Sequence, residues 1–68
     1  MMQAMQDSAP VKVLLTIDEA AAALNMGRTY VYDMVMRRQI RSLKLGRKRR
    51  IPVAALHDFV ARQLGAEG

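Results

Sequence analysis

Asn25-Met26-Gly27 leaves only three residues between two helical segments, and this short link constrains the fold more than any other stretch. Asn tolerates the left-handed conformation at a helix end, Met26 is an apolar plug, and Gly27 can serve as the next N-cap. Three residues make a tight helix–helix turn. The first segment starts at Thr16-Ile17-Asp18-Glu19, which fits a capping box. In such a box the Thr16 hydroxyl takes the backbone N–H of Glu19, and the Glu19 carboxylate returns to that of Thr16. Ile17, Ala20, Ala21 and Leu24 then recur at i, i+3, i+4 and i+7, an apolar stripe whose alanines permit close helix approach.

The second helix is predicted from Arg28 to about Arg38. At 100° per residue, Val31, Met34, Val35 and the stem of Arg38 fall on one inner face, while Thr29, Asp33, Met36 and Arg37 point outward. That outer face mixes a hydroxyl, an acid, a thioether and a guanidinium, a variety suited to reading base edges. From Ile40 the period changes to two. Leu43 and Leu45 alternate with Ser42 and Lys44, Gly46 supplies a turn, and Arg50 and Ile51 continue a returning strand. Pro52 presets the start of a last helix, whose apolar face of Val53, Leu56, Phe59, Val60 and Leu64 ends at Gly65. Ahead of the first helix, Val13-Leu14-Leu15 reads as a short strand or an apolar lead-in. Residues 1–12 read as a disordered N-terminal tail, 13–64 as the domain and 65–68 as a C-terminal tail.

With 68 residues and no cysteine to staple it, the chain is one domain near the lower limit for independent folding, and stability must come from packing. Only Tyr30, Tyr32 and Phe59 are aromatic, so a small core is expected. Nine of the eleven Lys and Arg residues lie between Arg28 and Arg50, a stretch whose one acid is Asp33. Residues 1–27 sum to −2, 28–50 to +8 and 51–68 to −1, which together give the net +5. Solubility alone would not leave both flanks acidic, so the clustering marks a binding surface for a polyanion. His57 cannot make a metal site by itself and is expected to face solvent. Without a cysteine, a second histidine or a phosphate-binding Gly loop, no catalytic site, cofactor or metal is expected. No signal peptide or membrane span is legible, which implies a cytoplasmic protein.

Two short helices, a basic hairpin and a packing helix follow the order of a winged helix-turn-helix. Leu15-Thr16-Ile17-Asp18-Glu19-Ala20-Ala21, the turn Asn25-Met26-Gly27-Arg28, Val31-Tyr32, Arg37-Arg38 and Leu45-Gly46-Arg47-Lys48-Arg49-Arg50-Ile51-Pro52 resemble the excisionase and MerR-like family. The resemblance covers residues 14 to about 64. It implies a mainly α fold of three helices plus a wing, with the second helix in the major groove of double-stranded DNA and the hairpin on the minor groove or backbone. Three positions depart from the family's pattern: Asp33 stands where a basic residue is common, Arg49 replaces a frequent aromatic, and Gln39 replaces the usual glycine after the recognition helix.

The recognition-helix candidates are Arg28, Thr29, Tyr30, Asp33, Met36, Arg37 and Arg38. The first three lie where free helix N–H groups favour a phosphate. An Arg can bond guanine bidentately, an acid can accept from a cytosine amine, and Met can meet a thymine methyl. Asp33 can equally pair with Arg37 at i+4. Met36 serves a protein contact as well as a thymine, and Tyr32 is expected to be half-buried. The wing candidates are Lys44, Arg47, Lys48, Arg49 and Arg50.

The resemblance further implies an excisionase, a recombination directionality factor that bends DNA at repeats beside an attachment site and turns an integrase toward excision. Cooperative self-association on DNA and a nucleoid location come with it. The alternative is a small stand-alone MerR-like regulator at a promoter. Regulators of that type carry a dimerisation helix and effector domain after the DNA-binding head, and the chain ends at Gly68 without them. A ribosome- or RNA-associated basic protein is a third reading, disfavoured because the deep, narrow A-form groove does not admit a helix.

Overall fold

The computed structural model describes residues 12–67, and the N-terminal tail read over residues 1–12 lies outside them except for Lys12. The element order is β1 (Leu14–Leu15), α1 (Ile17–Leu24), α2 (Arg28–Met36), β2 (Leu43–Leu45), β3 (Lys48–Pro52) and α3 (Val53–Glu67). Three helices and a small antiparallel sheet therefore form the winged helix-turn-helix that the sequence order predicts.

α1 begins on the complete capping box. Thr16 Oγ1 accepts from the Glu19 N–H at 3.0 Å, and the Thr16 N–H donates to Glu19 Oε1 at 2.9 Å. The helix ends at Asn25, whose φ of 56° is left-handed. The Asn25 N–H reaches the Ala22 carbonyl at 3.1 Å and the Met26 N–H reaches that of Ala21 at 2.9 Å. These two bonds satisfy carbonyls that a helix end leaves without partners. Gly27 caps α2 in an extended conformation with no side-chain bond.

α2 is shorter than the periodicity predicts, stopping at Met36 with Arg37 as its C-cap. Arg38 takes φ 63° and its N–H bonds the Val35 carbonyl, while the Gln39 N–H bonds that of Met34 at 2.8 Å. That pairing is a Schellman motif, and it turns Arg38 out to solvent instead of laying its stem on the inner face. The reversal drops Ile40, which is fully buried, into the core.

The sheet order is β1-β3-β2, antiparallel throughout, with Leu15 opposite Ile51 and Lys44 opposite Arg49. Val13-Leu14-Leu15 thus contributes a strand, one that pairs with the base of the wing. Gly46, at φ 64°, opens the two-residue loop between Leu45 and Lys48, a geometry that twisted hairpins require and glycine adopts without cost. Pro52 closes β3 and directly precedes α3, and the Val53 N–H bonds the Val13 carbonyl at 3.0 Å.

The core comprises Ile17, Ala20, Ala21, Val31, Val35, Ile40, Ile51, Ala55, Leu56 and Phe59. No polar or charged residue is buried among the described residues, so no core side chain carries the desolvation penalty of a polar group. Two expectations for α3 are corrected. The helix runs through Gly65 to Glu67, because an exposed glycine weakens a helix without ending it. Its apolar stripe is only half used: Leu56 and Phe59 are buried, but Val60 and Leu64 are 41% and 66% exposed. Both line an open apolar groove with Leu15, Ala23 and Leu24 that these side chains do not fill.

Candidate nucleic-acid interface

Every residue singled out for the recognition helix other than Asp33 is exposed, and Asp33 is partly so. Arg28 and Thr29 lie in the first turn of α2, whose N-terminal N–H groups are free of a side-chain cap. Arg28 Nε contacts Asp18 Oδ1 at 2.7 Å, tying the start of α2 back to the start of α1. Tyr30 is 38% and Tyr32 46% exposed, so Tyr32, expected half-buried, is the more accessible of the two.

Asp33 and Arg37 form the i,i+4 pair at 2.9 Å. An exposed pair of this kind is worth only about 0.3–0.5 kcal/mol, so it orients Arg37 without locking it away from a ligand. Met36 remains an exposed thioether between them and the wing. Arg38 is the unusual member. A long side chain in the left-handed region costs roughly 1–2 kcal/mol relative to the ordinary helical region, a cost that Gly avoids. The sequence pattern places the missing glycine at Gln39, whereas the left-handed residue is Arg38.

The wing separates what the sequence reads as one basic run. Side chains alternate along a strand. Lys44 and Arg49, opposite each other, share one face with Ser42, and Lys48 and Arg50 fall on the other face with Leu43 and Leu45. Arg47 sits in the loop. Arg49 Nη1 donates to Ser42 Oγ at 2.8 Å, which holds its guanidinium on the α2 side. Arg50 Nη1 donates to the Arg49 carbonyl at 2.9 Å and is partly buried. Leu43 and Leu45 are 44% and 53% exposed, so the hairpin stands away from the core, anchored through the fully buried Ile51.

Of the nine cations from Arg28 to Arg50, Arg28 and Arg37 alone meet a carboxylate among the described residues. Positive charge free of local partners is what a phosphate backbone attracts. Arg41 and Ser42 belong to this surface although sequence reading does not single them out. They lie between α2 and β2, outside both elements, where the turn at Arg38 sets which way they point. Among the described residues no three His, Cys, Asp or Glu side chains group together, and no helix is long and apolar enough to cross a membrane.

The family described as "Helix-turn-helix domain" matches residues 14–64, the span from β1 into α3. A "Probable excisionase" of Saccharopolyspora erythraea is 45% identical over 58 residues, covering 85% of this chain and 59% of the relative. An "Excisionase" of Streptomyces ambofaciens is 44% identical over 52 residues, covering 76% of this chain and 84% of the relative. The chain therefore spans less than two thirds of the first relative's length and most of the second's. No solved structure gives a significant match. The chain belongs to the excisionase-type helix-turn-helix DNA-binding family.

Proposed function

We propose that this protein is an excisionase that binds repeated sites beside an attachment site, bends the duplex and directs an integrase toward excision. The reading rests on one observation above the others: the exposed face of α2 leads into a turn and a projecting wing on which Arg38, Arg41, Lys44, Arg47, Lys48, Arg49 and Arg50 meet no carboxylate among the described residues. The names of the two relatives support the excision role over promoter control. In this reading α2 enters the major groove, where Thr29, Asp33, Met36 and Arg37 meet base edges. Arg28, Tyr30 and Arg38 hold the flanking backbone. Lys44, Arg47, Lys48, Arg49 and Arg50 follow the adjacent minor groove or its phosphates, where arginine is favoured if the groove is narrow.

A nine-residue helix is about 13 Å long at 1.5 Å per residue, enough to read only about four base pairs. Specific occupancy thus calls for several copies on neighbouring repeats, each helping the next. DNA as ligand places the protein at the nucleoid.

The test is a titration of the purified protein onto tiled duplexes from its own genomic neighbourhood at fixed near-physiological salt, with footprinting of each retained tile. Phased repeats beside an integrase attachment site, together with loss of excision on gene deletion, are expected. A single promoter site with unchanged excision would replace this reading with the regulator. Uniform binding to all tiles would reduce it to a non-specific architectural role.

A further inference from the structure

Between the C-terminal end of α2 and the wing lies an open hollow of about 330 Å³, lined by Met36, Arg38, Arg41, Ser42 and Arg49 over a floor that includes Ile40. No acid lines it, and none of its three arginines meets a carboxylate among the described residues. Arg49 is held there by Ser42. That bond uses one of the guanidinium's five N–H donors and leaves the serine proton free to donate. Arg38 reaches the hollow from a left-handed backbone that disfavours a long side chain. The fold imposes that backbone, since the turn carries Ile40 into the core, and the side chain it leaves outside is a cation. The helix C-terminus contributes about half a negative charge, which three arginines outweigh.

We infer that this hollow is a phosphate clamp, in which Arg38, Arg41 and Arg49, with the Ser42 hydroxyl, grip one backbone phosphodiester. The inference rests on the DNA reading above. If α2 occupies one groove and the wing the next, a single sugar-phosphate strand must cross between them, and the hollow lies on that crossing. Arg41 and Ser42 become ligand-binding residues. Arg38 acts on the backbone and carries no base preference.

The experiment uses the full chain and the footprinted duplex, with Arg38→Gly and Arg41→Gln compared with wild type for affinity, salt slope and melting temperature. Arg41→Gln should bind roughly tenfold more weakly with its sequence preference unchanged, and its slope of log affinity against log salt should flatten by about one. Arg38→Gly should melt higher, because glycine accepts φ 63° freely, and yet bind more weakly. A scan of duplexes carrying one neutral methylphosphonate each should find a position between the grooves that weakens wild type and leaves Arg41→Gln no weaker. If wild type binds with a steep salt slope while both variants match it, the clamp is overturned and the DNA reading stands. If wild type shows no salt-dependent binding, both fall.

Discussion

On the side of α2 and the wing, the exposed residues include Arg38, Arg41, Lys44, Arg47 and Lys48. On the side of α1 and α3, Val60 and Leu64 lie with Leu15, Ala23 and Leu24 along an apolar groove of about 570 Å³. One core serves both. β3 shows how, since Arg49 and Arg50 belong to the wing while the next residue, Ile51, is fully buried and pairs with β1. Charges on the first side are held by the fold but contribute little to holding it, because most are exposed and few are paired. Apolar groups on the second side hold the fold only as far as Leu56 and Phe59. Affinity and stability should therefore respond to different substitutions, and the residues that join the two sides should be few.

The largest effect is expected at that junction. Ile51→Ala removes a fully buried side chain from the strand that joins wing, β1 and core, and should cost about 2–5 kcal/mol in urea unfolding. In so small a domain that is a large share of the total. A loss under about 1 kcal/mol would mean the wing is not anchored there, and the division into two sides would dissolve.

Next come substitutions confined to the charged side. Arg37→Ala should cost about 1–3 kcal/mol of binding to the preferred site and little on other sequences, relaxing specificity. Lys48→Ala should weaken binding to all duplexes alike. Stability should stay within about 0.5 kcal/mol for either. With about five to eight phosphates neutralised per copy, the wild-type slope of log affinity against log salt should fall between about −4 and −7. Equal effects of Arg37→Ala and Lys48→Ala on every sequence would remove Arg37 from base readout.

On the other side the effects shrink. Thr16→Ala breaks one arm of the capping box and should cost about 1 kcal/mol by thermal melting, with DNA affinity retained once the chain is folded. Leu64→Gln should shift stability by no more than about 0.5 kcal/mol, since that side chain is two-thirds exposed. A larger loss would show that the distal turn of α3 packs on the groove more firmly than its exposure indicates.

What was legible in the sequence divides along a similar line. The capping box, the left-handed Asn25, the three-residue turn, the hairpin at Gly46 and the basic surface were all readable, because each is written in residues a few positions apart. The end of α2 was not. The family's glycine position falls one residue away at Gln39, nothing in Arg38 itself signals a left-handed residue, and the turn forms there because Ile40 must reach the core, a demand set by α1, β3 and α3 together. The same holds for the wing: a run of four cations carries no label of face, and strand register alone sends Arg49 toward α2 and Arg50 away. For α3 the apolar period is legible, but it overstates burial, because a period reports which face is apolar and not what packs against it.

The smallest effect belongs to the acidic flank of α1, where a titration can separate the two sides by sign. The Lys12 ammonium donates to the Glu19 carboxylate, and this contact, followed by the Thr16 N–H, holds the Glu19 carboxyl below its ordinary value of 4.5 against a weaker opposing pull from burial. The folded state therefore keeps Glu19 ionised to lower pH than the unfolded chain does. Its stabilising contribution is complete above the ordinary value, where both states are charged. It drains as pH falls and the unfolded chain takes up the proton first, and it is gone once the folded carboxyl is also protonated. Melting temperature against pH from about 7 to 3 should fall more steeply for wild type than for Glu19→Gln, the two curves converging at the acid end. Lys12→Ala should move the wild-type midpoint upward, toward the ordinary range. Parallel curves for wild type and Glu19→Gln would mean that neither the Lys12 contact nor the Thr16 bond favours the charged carboxylate in solution. In that case the box would hold α1 without help from the Glu19 charge, and the Asp18 contact with Arg28 would be the charge interaction left at that end of the helix.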